Sequence, residues 1–300
     1  MNIAVTGATG FLGRYLVRQF AGAGHQLRCW HRPESDRTGL DGDQDQIEWR
    51  AGQLGDVDSA RSLVEGCDAV VHSALFRTSK TFQGAGEEED VLGFLEKNFM
   101  GTIRLIEAAR AAGVGRFVFV ATCAVHEKIL DDRPLDETHP LWPKTHYGAH
   151  KAALEKFVHS YGLGQGYPIC SLRPTGIYGV AHPVEDSKFF DLVQAVARGE
   201  DVKCRGGGKE VHAADVARAA EILLAAEDIA GEAYSCYDQY ISRYDVATIT
   251  KELTGGTSVI DGQPTEPKHQ IVTNKLRGLG MQFGGRPLLE ETIREMLAAL

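Results

Sequence analysis

Short apolar runs alternate with amphipathic stretches through the first half of this chain. Residues 2–6 form an apolar run that leads into a glycine, which predicts a buried strand. Residues 11–21 follow, with Leu12, Leu16 and Phe20 at helical spacing, and predict a helix that buries one face. The alternation continues. Strands are expected over 25–30, 69–72, 116–121 and 169–173, and helices over 58–65, 92–112 and 147–161, the long one closed by Gly113. The stretch 32–45 is polar, rich in Gly and Asp, and reads as a loop. The stretch 78–90 is also polar and is expected to be mobile.

Strand and helix in strict turn predict a parallel sheet wound with helices, because parallel strands need a crossover and a helix supplies it. Strands buried on both faces read as continuous apolar runs, as these do. Beyond residue 175 the rhythm loosens. Helices are expected over 189–198, 213–226, 244–253 and 289–300, separated by short strands and by glycine-rich connections such as Gly206, Gly207 and Gly208. The expected organisation is a nucleotide-binding domain over 1–174, with a return segment near 211–227, and a smaller lobe over 175–300.

The 300 residues suit one large domain with a minor lobe. A net charge of −9 argues against a nucleic-acid binder, which needs a basic face for phosphates. No two of the six cysteines form a CxxC pair, and the histidines show no metal-ligand spacing, so no metal is expected. No apolar stretch reaches the roughly 18 residues that span a bilayer. The chain starts directly in a strand, so no secretory leader is expected, and a soluble, cytoplasmic protein follows as the expectation.

The chemistry begins at Thr6-Gly7-Ala8-Thr9-Gly10-Phe11-Leu12-Gly13. Three glycines at this spacing, between a strand and a helix, match the logic of a dinucleotide site. One permits the sharp turn, one lets backbone approach the pyrophosphate, and one allows close helix packing. The helix N-terminus then offers free N–H groups to phosphate. At the end of the second strand stand Cys29-Trp30-His31-Arg32, with no acid for ribose hydroxyls. Arg32 favours a 2′-phosphate, so NADP is expected, with NAD as the alternative.

A second cluster lies at Tyr147 and Lys151, a YxxxK pair one helical turn apart. An ammonium beside a phenol is expected to lower its pKa and let it exchange a proton near neutral pH. Thr122, at the end of the 116–121 strand, is placed to polarise the same oxygen.

These motifs together resemble the extended short-chain dehydrogenase/reductase family of the NAD-dependent epimerase/dehydratase type. The likeness rests on TGATGFLG at 6–13, Val70-Val71-His72-Ser73-Ala74, Asn98-Phe99-Met100-Gly101-Thr102, the Thr122, Tyr147 and Lys151 set, Leu172-Arg173-Pro174-Thr175-Gly176-Ile177-Tyr178-Gly179, and Val211-His212-Ala213-Ala214-Asp215-Val216-Ala217. The resemblance implies a Rossmann-type doubly wound α/β sheet with a smaller C-terminal substrate-binding lobe. It implies cofactor contacts from Gly7, Gly10, Phe11, Leu12, Gly13, His31, Arg32, Gln53, Leu54, Ala74, Asn98, Tyr147, Lys151 and Pro174. Catalysis falls to Thr122, Tyr147 and Lys151, and helix pairing into a homodimer is implied.

The departures concern substrate. Gln53 stands where the family has an Asp on adenine. Cys123 and Ala124 replace the Asp-Glu of its dehydratases, and Cys123 reads as a buried structural cysteine. Thr175-Gly176 replaces an Asn of its epimerases, and Gly208-Lys209-Glu210 replaces a stretch with a diphosphate-binding Arg. Arg205 reads as a solvated charge. His126, His146 and His150 flank the site and are candidates for proton transfer. The leading expectation is an NAD(P)-dependent oxidoreductase or epimerase acting on a hydroxyl or carbonyl of a sugar or sugar nucleotide. The alternatives are an NADPH-dependent reductase of a non-sugar carbonyl, and a non-catalytic NAD(P)-binding regulator.

Overall fold

The computed structural model describes residues 1–40, 45–77 and 90–300. Most of the polar stretch at 78–90, and residues 41–44 of the 32–45 loop, lie outside the described residues. The main sheet holds seven strands: β1 (Asn2–Thr6), β2 (Gln26–His31), β3 (Ile47–Ala51), β4 (Ala69–His72), β5 (Arg116–Val120), β6 (Ile169–Pro174) and, late in the chain, a strand at Glu232–Cys236. Neighbours run in the order 232–236, β6, β5, β4, β1, β2, β3, and every pairing is parallel. The order reverses at β1, which is where such sheets open a ligand crevice.

Helices cover both faces. α1 (Phe11–Gly22) lies on one face with a later helix, Ala213–Ala225; Leu16, Val17 and Phe20 join Val216, Ala217 and Ala220 in one core. Each large apolar side chain buried there contributes about 1.5–3 kcal/mol. On the other face lie α2 (Val57–Val64), α3 (Val91–Leu95), α4 (Gly101–Ala111) and α5 (His146–Gln165), around Phe117, Phe119, Leu154 and Val158. The long helix expected over 92–112 is thus interrupted. Residues Glu96–Met100 between α3 and α4 form a π-turn, an irregularity that hydropathy periodicity does not register.

Two strands go beyond the expected set. In β3, Glu48 and Arg50 alternate with Ile47 and Trp49, and only one flank of this edge strand is paired. The strand at 232–236 carries the return of the chain past the expected 211–227 and into the main sheet.

Past β6 the chain forms β7 (Gly176–Tyr178), α6 (Phe190–Ala197), β8 (Val202–Cys204) and β9 (Gly207–His212) of the smaller lobe, then returns to the main sheet with α7 (Ala213–Ala225, the helix on the α1 face). The 232–236 strand is β10. After it come β11 (Gln239–Ser242), α8 (Arg243–Thr254), β12 (Ile260–Gly262), α9 (Asn274–Gly278) and α10 (Gly285–Ala298). β9 lies between β7 and β11, and β8 pairs with β12. Gly207 and Gly208, expected in a connection, open β9 instead. Tyr15 of α1 ties the lobe to the sheet: its hydroxyl donates to the Val180 carbonyl at 3.0 Å and accepts from the Val180 N–H at 2.9 Å.

Candidate active site

One cleft of about 910 Å³ runs across the carboxyl edge of the sheet. Its lining contains Gly7, Gly10, Phe11, Leu12, Gly13, His31, Arg32, Gln53, Leu54, Ala74, Thr122, Tyr147, Lys151 and Pro174. Positions far apart in the chain meet here because parallel strands all deliver their carboxyl ends to one edge. Asn98 is the exception: it does not line the cleft.

The glycine turn is built by steric necessity. Gly7 has φ +73°, a left-handed conformation that favours glycine. A Cβ on Gly13 would sit 1.9 Å from the Gly7 carbonyl oxygen and 2.7 Å from the Ala8 Cα. Backbone on backbone cannot relax, so only glycine lets α1 pack so close to the turn. Gly10 caps α1 without any side-chain hydrogen bond to the helix. The first N–H groups of α1 are left for an anion, and this cradle fits a dinucleotide diphosphate.

Asn98 works one layer back. Its side-chain amide donates to the Phe94 carbonyl at 3.0 Å and the Phe76 carbonyl at 2.8 Å, and its Oδ1 accepts from the Phe76 N–H at 2.7 Å. It pins the backbone after β4, which borders the cleft. A buried chain of hydrogen bonds joins the same region to the glycine turn. The Thr6 hydroxyl and the His72 Nδ1 are 2.6 Å apart, the His72 Nε2 and Thr102 hydroxyl 2.9 Å, and Thr102 donates to the Asn98 carbonyl at 2.6 Å. Burial pushes His72 down to about 3, so the ring is neutral and serves as a structural link.

Thr122 follows β5 and caps the 3₁₀ turn Cys123–His126, its hydroxyl accepting from the Ala124 N–H at 3.1 Å. Thr145 caps α5 in the same way from Gly148, which places Tyr147 and Lys151 on the first turns of that helix. Tyr147 and Thr122 line the same cleft, and Thr122 favours the ionised phenol. The Lys151 ammonium donates to the Val120 carbonyl at 2.8 Å and lies 4.5 Å from the Phe119 ring centroid.

The electrostatics correct one expectation. Burial pushes the Tyr147 phenol up to about 12, against the Thr122 hydrogen bond and the Arg77 charge. Burial likewise lowers Lys151 to about 7, against the charge of Glu155. Desolvation disfavours the charged form of both, and in this structure it outweighs any lowering of the phenol by the ammonium. The phenol is held in its proton-bearing form.

The flanking residues divide. Burial and the Arg173 charge lower His126 to about 4, and its Nδ1 is 3.3 Å from the Pro140 carbonyl oxygen. His150 is buried against Phe94, 5.0 Å between ring centroids, and lowered by burial to about 3. His146 is exposed. Neither His146 nor His150 lines the cleft. Cys123 does line it, with its thiol donating to the Arg173 carbonyl and raised by burial to about 12. Arg205 pairs with Asp261 at 2.9 Å on the surface.

Sequence reading did not single out the support behind this set. Arg173 and Glu155 are almost fully buried and form a two-point ion pair: Nε donates to Oε1 at 2.9 Å and Nη2 to Oε2 at 2.6 Å. The pair ties β6 to α5 one turn beyond Lys151. The one available signal was the spacing of Lys151 and Glu155, which puts both on one face of α5.

A glycine-cradled cleft at the switch point of a doubly wound sheet, with Thr122, Tyr147 and Lys151 in its lining, defines an α/β protein built on the dinucleotide-binding plan. The chain belongs to the NAD dependent epimerase/dehydratase family, whose family model matches residues 3–236. It is 30% identical over 172 residues to a UDP-glucose 4-epimerase of Rhizobium meliloti (strain 1021), covering 57% of this chain and 50% of that protein. It thus spans about half the length of that curated relative. It is 31% identical over 253 residues to a 4-hydroxy-2-methyl-3-oxo-4-farnesyl-3,4-dihydroquinoline-1-oxide ketoreductase of Stigmatella aurantiaca, covering 79% of this chain and 68% of that one. Among solved structures, a Thermus thermophilus UDP-glucose 4-epimerase in complex with NAD superposes with a TM-score of 0.77 at 22% identity, over 100% of both chains. No helix among the described residues is long and apolar enough to cross a membrane.

Proposed function

We propose that this chain binds a nicotinamide dinucleotide along the glycine turn and uses Thr122, Tyr147 and Lys151 to interconvert a hydroxyl and a carbonyl on a small substrate. The observation that carries this is the convergence of Thr122, Tyr147 and Lys151 in the same cleft as Gly7, Gly10 and Gly13. The bound nicotinamide supplies the hydride chemistry. Tyr147, held as a neutral phenol by burial, is the proton donor to the carbonyl oxygen as that oxygen gains charge. Thr122 donates to the phenolate that remains, and Lys151 supplies the nearby positive charge. The direction best matched by a proton-bearing phenol is carbonyl reduction.

The lobe over 175–300 holds substrate in this reading, and 1–174 with the return near 211–227 holds cofactor. His31, Arg32 and Gln53 border the adenosine end. Arg32 is exposed and pairs at 3.0 Å with Glu34, itself exposed, so a 2′-phosphate competes with a weakly held partner. NADP is therefore the proposed cofactor. Titration with NADPH and NADH separately is expected to give tighter binding for NADPH; a clear preference for NADH overturns this.

Sugars and sugar nucleotides are one substrate class, supported by the names of the epimerase relatives. A specific observation favours a carbonyl outside sugar-nucleotide chemistry: neither Gly176 nor Gly208 offers a side chain to a diphosphate, and the Glu210 carboxylate occupies the space beside both. A screen that follows nicotinamide absorbance over sugars, sugar nucleotides, aldehydes and ketones, with each cofactor, tests the reading. Turnover of none of them would count against it.

A homodimer paired through α4 and α5 is proposed as well. Phe157 and Met100 are exposed there, and Phe99 meets Phe157 edge-on at 5.6 Å. Light scattering is expected to give twice the chain mass, and replacing Phe157 with glutamate to shift it to one. We also propose the cytoplasm as the compartment, in keeping with six free thiols.

A further inference from the structure

The substrate end of the cleft carries an unusual charge arrangement. β9 places Lys209 toward the cleft and Glu210 behind it, as strand alternation requires. Glu210 is almost fully buried and grips the Lys188 ammonium with both oxygens, at 2.5 and 2.6 Å. The pair is built into the backbone. A Cβ on Gly176 would lie 2.5 Å from one Glu210 oxygen and 2.9 Å from the Lys188 Nζ, and a Cβ on Gly208 would lie 2.3 Å from the other oxygen. Lys188 therefore reaches the cleft with its charge already balanced.

Lys209 is different. It is half-buried on the cleft wall, its backbone is paired with β11, and among the described residues no hydrogen bond or ion pair holds its ammonium. Burial lowers its pKa, with the nearby Cys123 opposing. A half-buried cation to which the described residues offer no acceptor is costly unless a ligand supplies one. Lys209 lines the same cleft as Thr122 and Cys123, where the reacting carbonyl is proposed to bind. Part of the remaining lining is apolar, built from Ile129, Leu135, Ile177 and Ile271. Taken together, Lys188, Glu210 and Lys209 leave one net positive charge.

We propose that the substrate carries a single carboxylate held by Lys209, on a body with an apolar side, and that the Lys188–Glu210 pair turns away a diphosphate. This rests on the oxidoreductase reading above for the position of the reacting carbon. The ligand class is an oxo acid or its hydroxy-acid partner. Lys209 brings the one charge of this trio that no partner balances, which matches one carboxylate, and the Lys188 ammonium, already held by Glu210, is not left to meet a second negative charge.

The test uses the cofactor-loaded chain and isothermal calorimetry. The probes are uronic acids, 2-oxo acids and 3-oxo acids, each with its methyl ester, together with UDP-glucose. At least one acid is expected to bind about tenfold or more tightly than its ester, the scale of a hydrogen bond to a charged group. Lys209→Gln is expected to erase that difference, and Lys209→Arg to keep most of it. The inference is overturned if no acid outbinds its ester, if UDP-glucose binds more tightly than every acid, or if Lys209→Gln leaves the preference intact. Binding separates this from catalysis: acids that bind with Lys209 dependence but are not reduced sink the catalytic reading and leave the anion site standing. Turnover of esters or of UDP-glucose in preference to acids does the reverse.

Discussion

Replacing Tyr147 with phenylalanine is expected to lower turnover by about 100-fold or more, the usual scale for a positioned acid or base. The ring stays and one oxygen goes, so packing against His150, 5.5 Å away between centroids, changes little. What is lost is the proton donor beside Thr122. Cofactor affinity should fall far less than turnover, because the glycine turn and α1 are untouched and Tyr147 is one of many expected cofactor contacts, and calorimetry with NADPH checks that half. A variant with undiminished turnover removes Tyr147 from the mechanism. A variant that retains the biological output while losing turnover would instead point to a cofactor-binding regulator.

Replacing Glu155 with alanine is expected to destabilise the fold by about 3–5 kcal/mol, the cost of leaving one half of a buried ion pair alone. In a chain of this size that corresponds to a fall in Tm of roughly 10 °C. Among the described residues the Arg173 guanidinium would keep the Glu137 carbonyl, 3.2 Å from its Nη1, and a contact at 3.4 Å with the His126 Nε2. Neither balances a buried guanidinium. Methionine at both 155 and 173 is expected to recover most of the loss, since an apolar pair of similar size avoids desolvating two charges. Glu155 also raises the Lys151 pKa by its charge. Its removal should therefore move Lys151 further down and shift the ammonium-dependent limb of the pH–rate profile to lower pH. Thermal unfolding that changes by less than about 1 kcal/mol would show the pair to be no more than a surface-like contact.

The two variants act on one helix, and that helix shows how far local sequence carries the structure. Tyr147 and Lys151 were legible from the chain because a helix puts i and i+4 on one face whatever it packs against. The glycine turn was legible for a similar reason: strand, three glycines and helix within a dozen residues constrain each other through covalent geometry. The parallel sheet followed from the alternation of apolar runs with amphipathic stretches.

Other features depended on partners remote in the chain. Asn98 was expected against the cofactor, yet the π-turn at Glu96–Met100 directs its amide to Phe76 and Phe94. The lowering of Tyr147 by Lys151 was a sound pair argument, but it omitted the desolvation that burial imposes on both groups. The edge strand β3, with its charged alternation, gave a weak signal, and β10 joins the sheet only because the chain returns after the lobe.

By itself, then, the order of residues determined the wound sheet, the phosphate-sized turn and the tyrosine–lysine spacing, since each is governed by interactions among near neighbours. Tertiary structure alone decided which charges are balanced, which side chains face the cleft and which lie behind it. Desolvation and ion pairing depend on surfaces brought together from distant parts of the chain, and no local pattern encodes them.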